Sequence, residues 1–382
     1  MKIIIDGQPL LGKRTGIGRY TKKLIDEYLT YNLSVELFFN QMLNTNRYKS
    51  FLNEEFKGNI TINNSRFPYK LIRKFKKSKA WYKYPIDLKY KVNSNTIYHA
   101  TNFITVPTRY AKQVITIHDL AFLKFPNVVE EHIYRYLVDW VSYSVEISDE
   151  IIADSLSTKN DLIDLFEVPE NKVTVVYLAA EDHFQKQTNI EINRIRKKYD
   201  IPERYMLFVG TLEPKKNLIT LVEAIYHLKK VYSIVEKLVI VGAKGWKYDP
   251  LFETVKNYKL ENDVIFLGYI EDKDLPSVYS GACVFTFPSI YEGFGIPLLE
   301  AMQCEVPIIA SSTSSIPEVV GDAGLLVKPL DVEEWVHGIY QILTDVTLRQ
   351  DLVNRGKRQA EKFSWKKVAS ETAEVYKKAL NP

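Results

Sequence analysis

Two glutamates flank a glycine-containing turn in the segment PSIYEGFGIPLLEAM at residues 288–302. Glu292 and Glu300 are separated by seven residues. Gly293 and Gly295 permit a tight turn between an apolar run and a helical stretch. Backbone N–H groups at a helix N-terminus lack intrahelical acceptors and attract phosphate. A carboxylate before such a turn can reach a sugar carried on that phosphate, and one two turns later can accept hydrogen bonds from a ribose. A single acid that complements the helix dipole would explain one glutamate, but not this whole arrangement.

A pair of lysines forms the second candidate feature, within VGTLEPKKNL at residues 209–218. An apolar run precedes this turn, a helical pattern follows it, and Lys215 and Lys216 lie between them. Cations at such a turn can stabilise the charge that grows on a departing diphosphate, and could take the place of a metal ion. An isolated lysine pair is more often a solvated surface feature. Its position in a strand-to-helix turn favours phosphate binding instead.

A glycine-rich segment, GKRTGIGRY at residues 12–20, follows the first apolar run and precedes a helical pattern. It fails as a dinucleotide fingerprint because Thr21 occupies the third glycine position. No acidic residue ends a second strand near position 39. Both departures disfavour an NAD-dependent oxidoreductase.

A histidine and an aspartate, His118 and Asp119, end the apolar run QVITIHD at residues 113–119. A lone histidine is more often structural, but ligands of α/β sheets bind beyond the carboxyl ends of the strands. The pair is therefore a functional candidate. We interpret the other histidines as structural: His99, His132, His183, His227 and His337.

These motifs follow apolar runs that alternate with helical stretches. In the second half the runs are MLFVG, KLVIVG, DVIFLG, VFTFP and VPIIAS. Such alternation predicts a parallel, doubly wound α/β sheet. The first half is less regular, with strands predicted at 2–6, 34–39, 96–101, 113–119, 150–155 and 172–177. Helices are predicted at 20–30, 132–144 and 157–166, the last with Ser157 as its N-cap.

The chain has 382 residues, which is too long for one ordinary core. A polar, aperiodic stretch follows Tyr177, so we place a domain boundary near Asp182. The predicted domains are 1–182, which would bind acceptor, and 183–363, which would bind a nucleotide-sugar donor. Residues 364–382 would form an amphipathic helix, Trp365 to Leu380, that returns to the N-terminal domain.

On these motifs the chain resembles the retaining GT-B glycosyltransferases of family 4, also called group 1. EGFGIPLLE matches the E-x7-E element of that family, and GTLEPKKN and IPEVVGDAGLLVKP match its neighbouring elements. The resemblance extends over essentially the whole chain and is strongest from Met206 to Pro329. It implies two Rossmann-like domains whose parallel sheets face across a cleft, and transfer without a dedicated protein nucleophile. Glu305 departs from the pattern, because relatives commonly have glycine there, and we expect a loop change at that position without loss of activity.

The resemblance also assigns roles to residues. Glu292, His118 and Lys216 would be catalytic: Glu292 on the donor sugar, His118 on the donor sugar or acceptor, and Lys216 on phosphate. Glu300 would bind the ribose, and Lys215 replaces an arginine while keeping its charge. The remaining donor contacts would come from Gly16, Gly18, Phe294, Gly295, Ile296 and Leu298, with Ile270 placed by position near the base. Asp119 would support its loop, and Arg19 would lie near the acceptor.

The same motifs look most like bacterial mannosyl- and rhamnosyltransferases of polysaccharide and lipopolysaccharide assembly. We therefore expect a hexosyltransferase that uses GDP-mannose, with a rhamnosyl- or N-acetylglucosaminyltransferase using a dTDP- or UDP-sugar as the alternative. The acceptor would be a glycan or a lipid-linked saccharide. A catalytically silent nucleotide-sugar-binding protein is the alternative of another class, and the presence of both glutamates, Lys216 and His118 argues against it. No metal or other cofactor is expected.

Charge and hydropathy limit the partners. The net charge of +4 is too small to indicate nucleic-acid binding. Residues 66–91 carry ten Lys or Arg residues, one acid and several aromatics, which suits either an anionic membrane surface or a solvated basic surface. No apolar run is long enough for a transmembrane helix, and Cys283 and Cys304 lack metal-type spacing. We also expect no secretory signal peptide. We therefore expect a cytoplasmic protein, with peripheral membrane contact left open.

Overall fold

The computed structural model describes residues 1–11, 16–31, 33–40, 52, 54–57, 60–65, 92–126 and 131–381. The chain divides into two compact units. Unit 1 comprises Met1–Lys124, Val129–Tyr177 and Trp365–Pro382, and unit 2 comprises Phe125–Val128 and Leu178–Ser364. The division at Tyr177 thus falls shortly before the predicted boundary at Asp182. The basic aromatic segment 66–91 lies outside the described residues.

The described strands of unit 1 form one parallel sheet in the order β3-β2-β1-β4-β5-β6-β7. The chain moves outward from β1 in one direction and from β4 in the other, so the topological switch point lies between them. The strands are β1 (Lys2–Asp6), β2 (Val35–Asn40), β3 (Thr61–Ser65), β4 (Thr96–Ala100), β5 (Lys112–Ile117), β6 (Glu150–Ala153) and β7 (Val173–Val175). The helices are Gly16–Thr30, Ala121–Lys124, Glu131–Ile147, Leu156–Phe166 and Trp365–Leu380, with 3-10 turns at Gln8–Leu10 and Glu170–Lys172.

The described strands of unit 2 also form a parallel sheet, in the order β10-β9-β8-β11-β12-β13. They are β8 (Tyr205–Val209), β9 (Lys237–Val241), β10 (Val264–Gly268), β11 (Val284–Phe287), β12 (Ile308–Ser311) and β13 (Gly324–Val327). The helices are Asn189–Tyr199, Leu218–Tyr232, Asp249–Asn257, Leu275–Ser280, Ile296–Gln303, Ile316–Val320, Val332–Thr344 and Val346–Ala360, with a 3-10 turn at Pro214–Lys216.

Helices cover both faces of a parallel sheet, so the side chains on both faces of each strand are buried. The strands are therefore continuous apolar runs and do not alternate between apolar and polar residues. Every residue of β4, β6, β11 and β12 is buried. Trp335, from the Val332–Thr344 helix, is fully buried in the core of unit 2 together with Phe208 and Ile240. The predicted doubly wound architecture is confirmed in each unit.

One local prediction was wrong. The N-cap of the Leu156–Phe166 helix is Ser155, whose hydroxyl accepts the Thr158 N–H at 3.0 Å, and not Ser157. At Glu305, where a loop change is predicted, the backbone adopts the left-handed conformation, with φ of 59°. Glycine takes this conformation without a steric penalty, so glutamate fills the glycine position at a conformational cost and pairs with Lys357 at 2.8 Å. Across the described residues, no helix is both long and apolar enough to cross a membrane.

Candidate active site

The turn after β8 is held by one asparagine. Asn217 has a left-handed backbone, with φ of 55°, and ends the Pro214–Lys216 3-10 turn. Its side-chain amide donates to the carbonyl oxygens of Pro288 at 3.1 Å and Pro329 at 2.6 Å, while its own oxygen accepts the Thr220 hydroxyl at 2.8 Å. These bonds tie the turn to the segment that follows β11, because β8 and β11 are neighbours in the sheet.

The loop after β11 is fastened by a second turn, Thr313 to Ser315, that follows β12. The Thr313 hydroxyl donates to Ile290 O at 2.9 Å, and the Glu292 N–H donates to Ser314 Oγ at 2.9 Å. The Ser315 hydroxyl donates to Glu292 O at 3.0 Å and to Phe294 O at 2.9 Å. Backbone groups on both sides of Glu292 are therefore fixed before any ligand arrives.

Lys216 and Glu292 meet between these two loops. Lys216 Nζ lies 2.6 Å from Glu292 Oε1, and the side chains are only 13% and 10% exposed. Burial alone raises the pKa of Glu292, but the charges of Lys216 and Lys215 and the hydrogen bond from Lys216 outweigh it and hold that pKa below its ordinary value. Lys215 Nζ also lies 3.6 Å from Glu213 Oε1. The site thus places the Glu292 carboxylate beside Lys216 and Lys215, with Glu213 as a second acidic partner of Lys215.

A helix begins directly after this pair. Gly295 is the N-cap of the Ile296–Gln303 helix, with φ of 106°, a conformation that L side chains rarely adopt. Pro297 lies in the first turn, where its missing N–H is not needed. Phe294 and Leu298 are buried and Ile296 is partly buried, so a phosphate here would meet mainly the backbone N–H groups.

Glu300 lies farther along the same helix and is held by a residue that the sequence had not suggested. The Tyr279 hydroxyl donates to Glu300 Oε2 at 2.6 Å, and Tyr279 is fully buried. The hydrogen bond fixes one carboxylate oxygen. Ile270, assigned by position to the base, is 1% exposed, so its side chain presents almost no surface to a ligand.

Close backbone packing supports this edge of the sheet. A Cβ on Gly242, after β9, would lie 1.9 Å from the carbonyl oxygen of Gly210, after β8. The φ of Gly242 is +150°, so the position requires glycine on both steric and conformational grounds. The glycines that end the predicted strands therefore let neighbouring strand ends approach one another.

In unit 1 the glycine candidates lie in a helix and not in a loop, which corrects the expectation for them. Gly16 begins the Gly16–Thr30 helix, and Gly18 is buried in its first turn. Residues 12–15 of the predicted loop lie outside the described residues. Arg19 is partly exposed on the same turn. The first-turn N–H groups of a helix have no intrahelical acceptor, so this end of the helix remains chemically able to receive an anion.

His118 lies just beyond β5 and is hydrogen-bonded through both ring nitrogens. Nδ1 lies 2.6 Å from Asp154 Oδ2, and Nε2 lies 2.9 Å from Thr101 O. Asp119 instead accepts the Ala121 N–H at 3.0 Å and so shapes its own loop. The sequence had not suggested Asp154. It follows β6, and the carboxyl-end rule that selected His118 would have selected it too.

His99 is structural in this unit. It is fully buried, with Nδ1 2.7 Å from the Tyr376 hydroxyl and Nε2 2.8 Å from Thr116 Oγ1. Burial and, to a smaller extent, the nearby His118 together lower its pKa to about 3. Among the described residues, no group of three or more His, Cys, Asp or Glu side chains is placed to hold a metal ion.

Known proteins are similar to this chain in sequence. The sequence model of the family described as "Glycosyl transferases group 1" matches residues 191–359. O-antigen chain mannosyltransferase B of Escherichia coli is 32% identical over 390 residues, covering 99% of this chain and 100% of that protein. The serotype-specific mannosyltransferase WbdA of Escherichia coli is 27% identical over 283 residues, covering 70% of this chain and 34% of that protein.

The fold matches as well. The crystal structure of Anabaena Alr3699/HepE in complex with UDP-glucose has a TM-score of 0.72 and 17% identity, covering 99% of this chain and 100% of that chain. The two parallel α/β sheets are those of the GT-B fold. With a relative of 32% identity over its whole length, this chain belongs to the group 1 glycosyltransferases and is a hexosyltransferase enzyme.

Proposed function

We propose that this enzyme transfers mannose, with retention of configuration, from GDP-mannose to a hydroxyl of a glycan or lipid-linked saccharide. The observation that carries the proposal is the buried pair of Lys216 and Glu292 beside the start of the Ile296–Gln303 helix. Full-length similarity to an O-antigen chain mannosyltransferase supports mannose as the sugar. The resemblance of the sequence motifs to those of mannosyl- and rhamnosyltransferases is consistent with this donor.

The chemistry follows from where charge develops. As the glycosidic bond breaks, positive charge grows on the sugar ring and negative charge grows on the nucleoside diphosphate. Glu292 would stabilise the sugar, while Lys216, Lys215 and the helix N-terminus would stabilise the leaving group. In a retaining transfer of this kind the acceptor hydroxyl attacks the face that the nucleotide leaves, and a donor phosphate oxygen takes its proton.

We also propose that transfer needs no metal ion. The pKa of Glu292 is lowered by two lysines, so the cations that would replace a metal are already in the site. Preorganised cations need little rearrangement during the reaction. Activity that survives exhaustive treatment with EDTA would support this part of the proposal, and activity restored only by Mg²⁺ or Mn²⁺ would overturn it.

A donor screen tests the sugar. GDP-mannose, dTDP-rhamnose, UDP-N-acetylglucosamine and UDP-glucose are each incubated with the enzyme, and release of the nucleoside diphosphate is measured with and without a saccharide acceptor. We expect turnover with GDP-mannose and an α-linked product by NMR, because the donor is itself α-linked. Turnover with only a dTDP- or UDP-sugar would show that the donor sugar is not mannose. A β-linked mannoside formed from GDP-mannose would exclude retention.

The same screen separates an enzyme from a silent binder. Thermal stabilisation by GDP without hydrolysis or transfer of any donor would identify a nucleotide-sugar-binding protein instead. The Lys216→Met variant serves as the control, because it removes the cation and keeps the length of the side chain. Loss of both nucleotide binding and turnover in that variant is the expected result.

A lipid-linked acceptor would give the basic aromatic segment 66–91 a function, as a peripheral contact with an anionic membrane. Co-sedimentation with vesicles of phosphatidylglycerol, compared with phosphatidylcholine alone, tests this. We expect binding to the anionic vesicles that weakens with salt. Equal binding to both vesicle types would indicate that the segment is an ordinary solvated surface.

A further inference from the structure

The His118 ring is enclosed within unit 1. Both nitrogens have protein partners, Asp154 Oδ2 at 2.6 Å and Thr101 O at 2.9 Å. The rings of Tyr20 and Phe103 meet it edge-on, with centroids 5.2 and 5.6 Å away. The His118 side chain is 12% exposed, and the Asp154 side chain 3%. The ring can therefore neither rotate nor offer a nitrogen lone pair without breaking one of these hydrogen bonds.

Nε2 faces the Thr101 carbonyl oxygen, which only accepts, so Nε2 carries a hydrogen. Nδ1 faces Asp154 Oδ2, and it carries a hydrogen as well when that carboxylate is ionised. An imidazole that donates through both nitrogens is an imidazolium. Burial alone lowers the pKa of His118, but the charge and hydrogen bond of Asp154 and the carbonyl of Thr101 outweigh it and raise that pKa. The geometry and the charges therefore agree on the cation.

The other oxygen of Asp154 makes the ion pair depend on His118 alone. Oδ1 is buried and has no hydrogen-bond partner among the described residues. Buried carboxylate oxygens in native proteins usually have partners, so little besides the His118 ring stabilises this ionised group. Burial accordingly raises the pKa of Asp154, while His118 opposes that rise. The ion pair exists in the pH range between the titration of Asp154 and the titration of His118.

Neighbouring titratable groups do not compete for the proton between the two residues. Asp119, next in the chain, raises the pKa of both His118 and Asp154. His99 faces the ring from β4 and stays neutral, because its pKa is lowered to about 3. Tyr20, from the Gly16–Thr30 helix, stays protonated, because burial raises its pKa and its hydroxyl is paired with Thr116 at 3.0 Å.

We propose that Asp154 is a positioning residue that keeps His118 as a fixed imidazolium, so that His118 attracts an anionic substrate and does not accept a proton from it. A general base needs a free lone pair within reach of the proton it takes, and both nitrogens are already protonated. The inference rests on the proposed function where turnover is measured. The protonation state of His118 can be measured without turnover.

The direct test is a pH titration of enzyme carrying ¹⁵N in its histidine rings, followed by NMR. In the wild type we expect both His118 nitrogens to stay protonated above the ordinary pKa of 6.5. In Asp154→Asn the ring should become neutral at lower pH. Asp161→Asn is the matched control, since Asp161 is also a buried carboxylate of unit 1 but pairs with Lys124 at 2.5 Å. It should leave the His118 signals unchanged. A neutral His118 in the wild type at pH 6.5 would overturn the proposal, even if Asp154→Asn did not fold.

The kinetic test separates a charge effect from a structural one. Wild-type transfer should fall as pH rises through the raised pKa of His118. In Asp154→Asn this fall should begin at least about one pH unit lower. The activity of the variant relative to the wild type should therefore be about tenfold lower at pH 8 than at pH 6. An equal loss at every pH would mean that Asp154 only maintains the fold, and would refute the proposal. If no nucleotide sugar is turned over by the wild type, the proposed function fails, while the NMR titration still decides the role of Asp154.

Discussion

Replacing Lys216 by Met keeps the length of the side chain and removes the charge that Glu292 faces at 2.6 Å. Both side chains are nearly buried, at 13% and 10% exposure, so Glu292 would become a buried carboxylate without its main partner. Removing one member of a buried ion pair lowers stability by about 3–5 kcal/mol. We expect the low end, about 3 kcal/mol for unit 2, because the charge of Lys215 also lowers the pKa of Glu292 and remains.

The double variant Lys216→Met with Glu292→Gln distinguishes stability from catalysis. It no longer has an unpaired buried carboxylate, so it should be about 2 kcal/mol more stable than the sum of the two single effects predicts. This difference is the coupling energy of the pair. Turnover should not return, because the charges that we propose to stabilise the transition state are absent. Loss of one preorganised group lowers turnover by about 10²–10³-fold. The pair is therefore expected to couple strongly in stability and to show no recovery in activity.

Thiol labelling measures unit 2 separately from unit 1. The chain has two cysteines, Cys283 and Cys304, and both lie in unit 2, with Cys304 buried. Pulsed labelling of Cys304 across a urea series gives the unfolding free energy of each variant. Strictly additive single effects would refute the coupling, and near-normal turnover of the double variant would refute the site assignment.

The same measurement has a predicted pH dependence. Because the pKa of Glu292 is lowered in the folded state, its contribution to stability is complete above its ordinary value of 4.5. It is lost as the pH falls through the lowered pKa. The difference between the wild type and Lys216→Met should therefore shrink in acid. A difference that stays constant from pH 7 to pH 3 would contradict the ionised pair.

Three further substitutions test individual contacts. Tyr279→Phe removes the 2.6 Å hydrogen bond to Glu300, and should lower stability by about 1.5–3 kcal/mol and raise the donor KM more than it lowers kcat, measured by initial rates. Gly242→Ala places a Cβ 1.9 Å from the carbonyl of Gly210, so a loss of about 3 kcal/mol or more is expected in thermal unfolding, and a normal Tm would refute the packing argument. Glu305→Gly removes the cost, about 1 kcal/mol, of holding a non-glycine residue in the left-handed backbone conformation. Its Tm should rise, because the partly exposed ion pair that it loses contributes less.

The local pattern of apolar and polar residues was sufficient to predict much of the fold. The amphipathic helix Trp365–Leu380 was predicted with its observed bounds, since its period alone defines it. The buried runs of β8 and β11 were likewise recognisable, because a strand covered on both faces must be apolar throughout. By contrast, β3 reads TINNS and was not predicted. A polar segment of this kind becomes a strand through its parallel pairing with β2.

The residue types of the site can be identified from local sequence: the glutamates around a glycine turn, the lysine pair, and a histidine at a strand end. Their partners become apparent only in the folded chain. Lys216 and Glu292 are 76 residues apart in the chain and meet because β8 and β11 are adjacent in the sheet. His118 pairs with Asp154 because β5 lies beside β6. Periodicity records which face of an element is buried, whereas the choice of partner depends on strand order, which no local stretch of sequence contains.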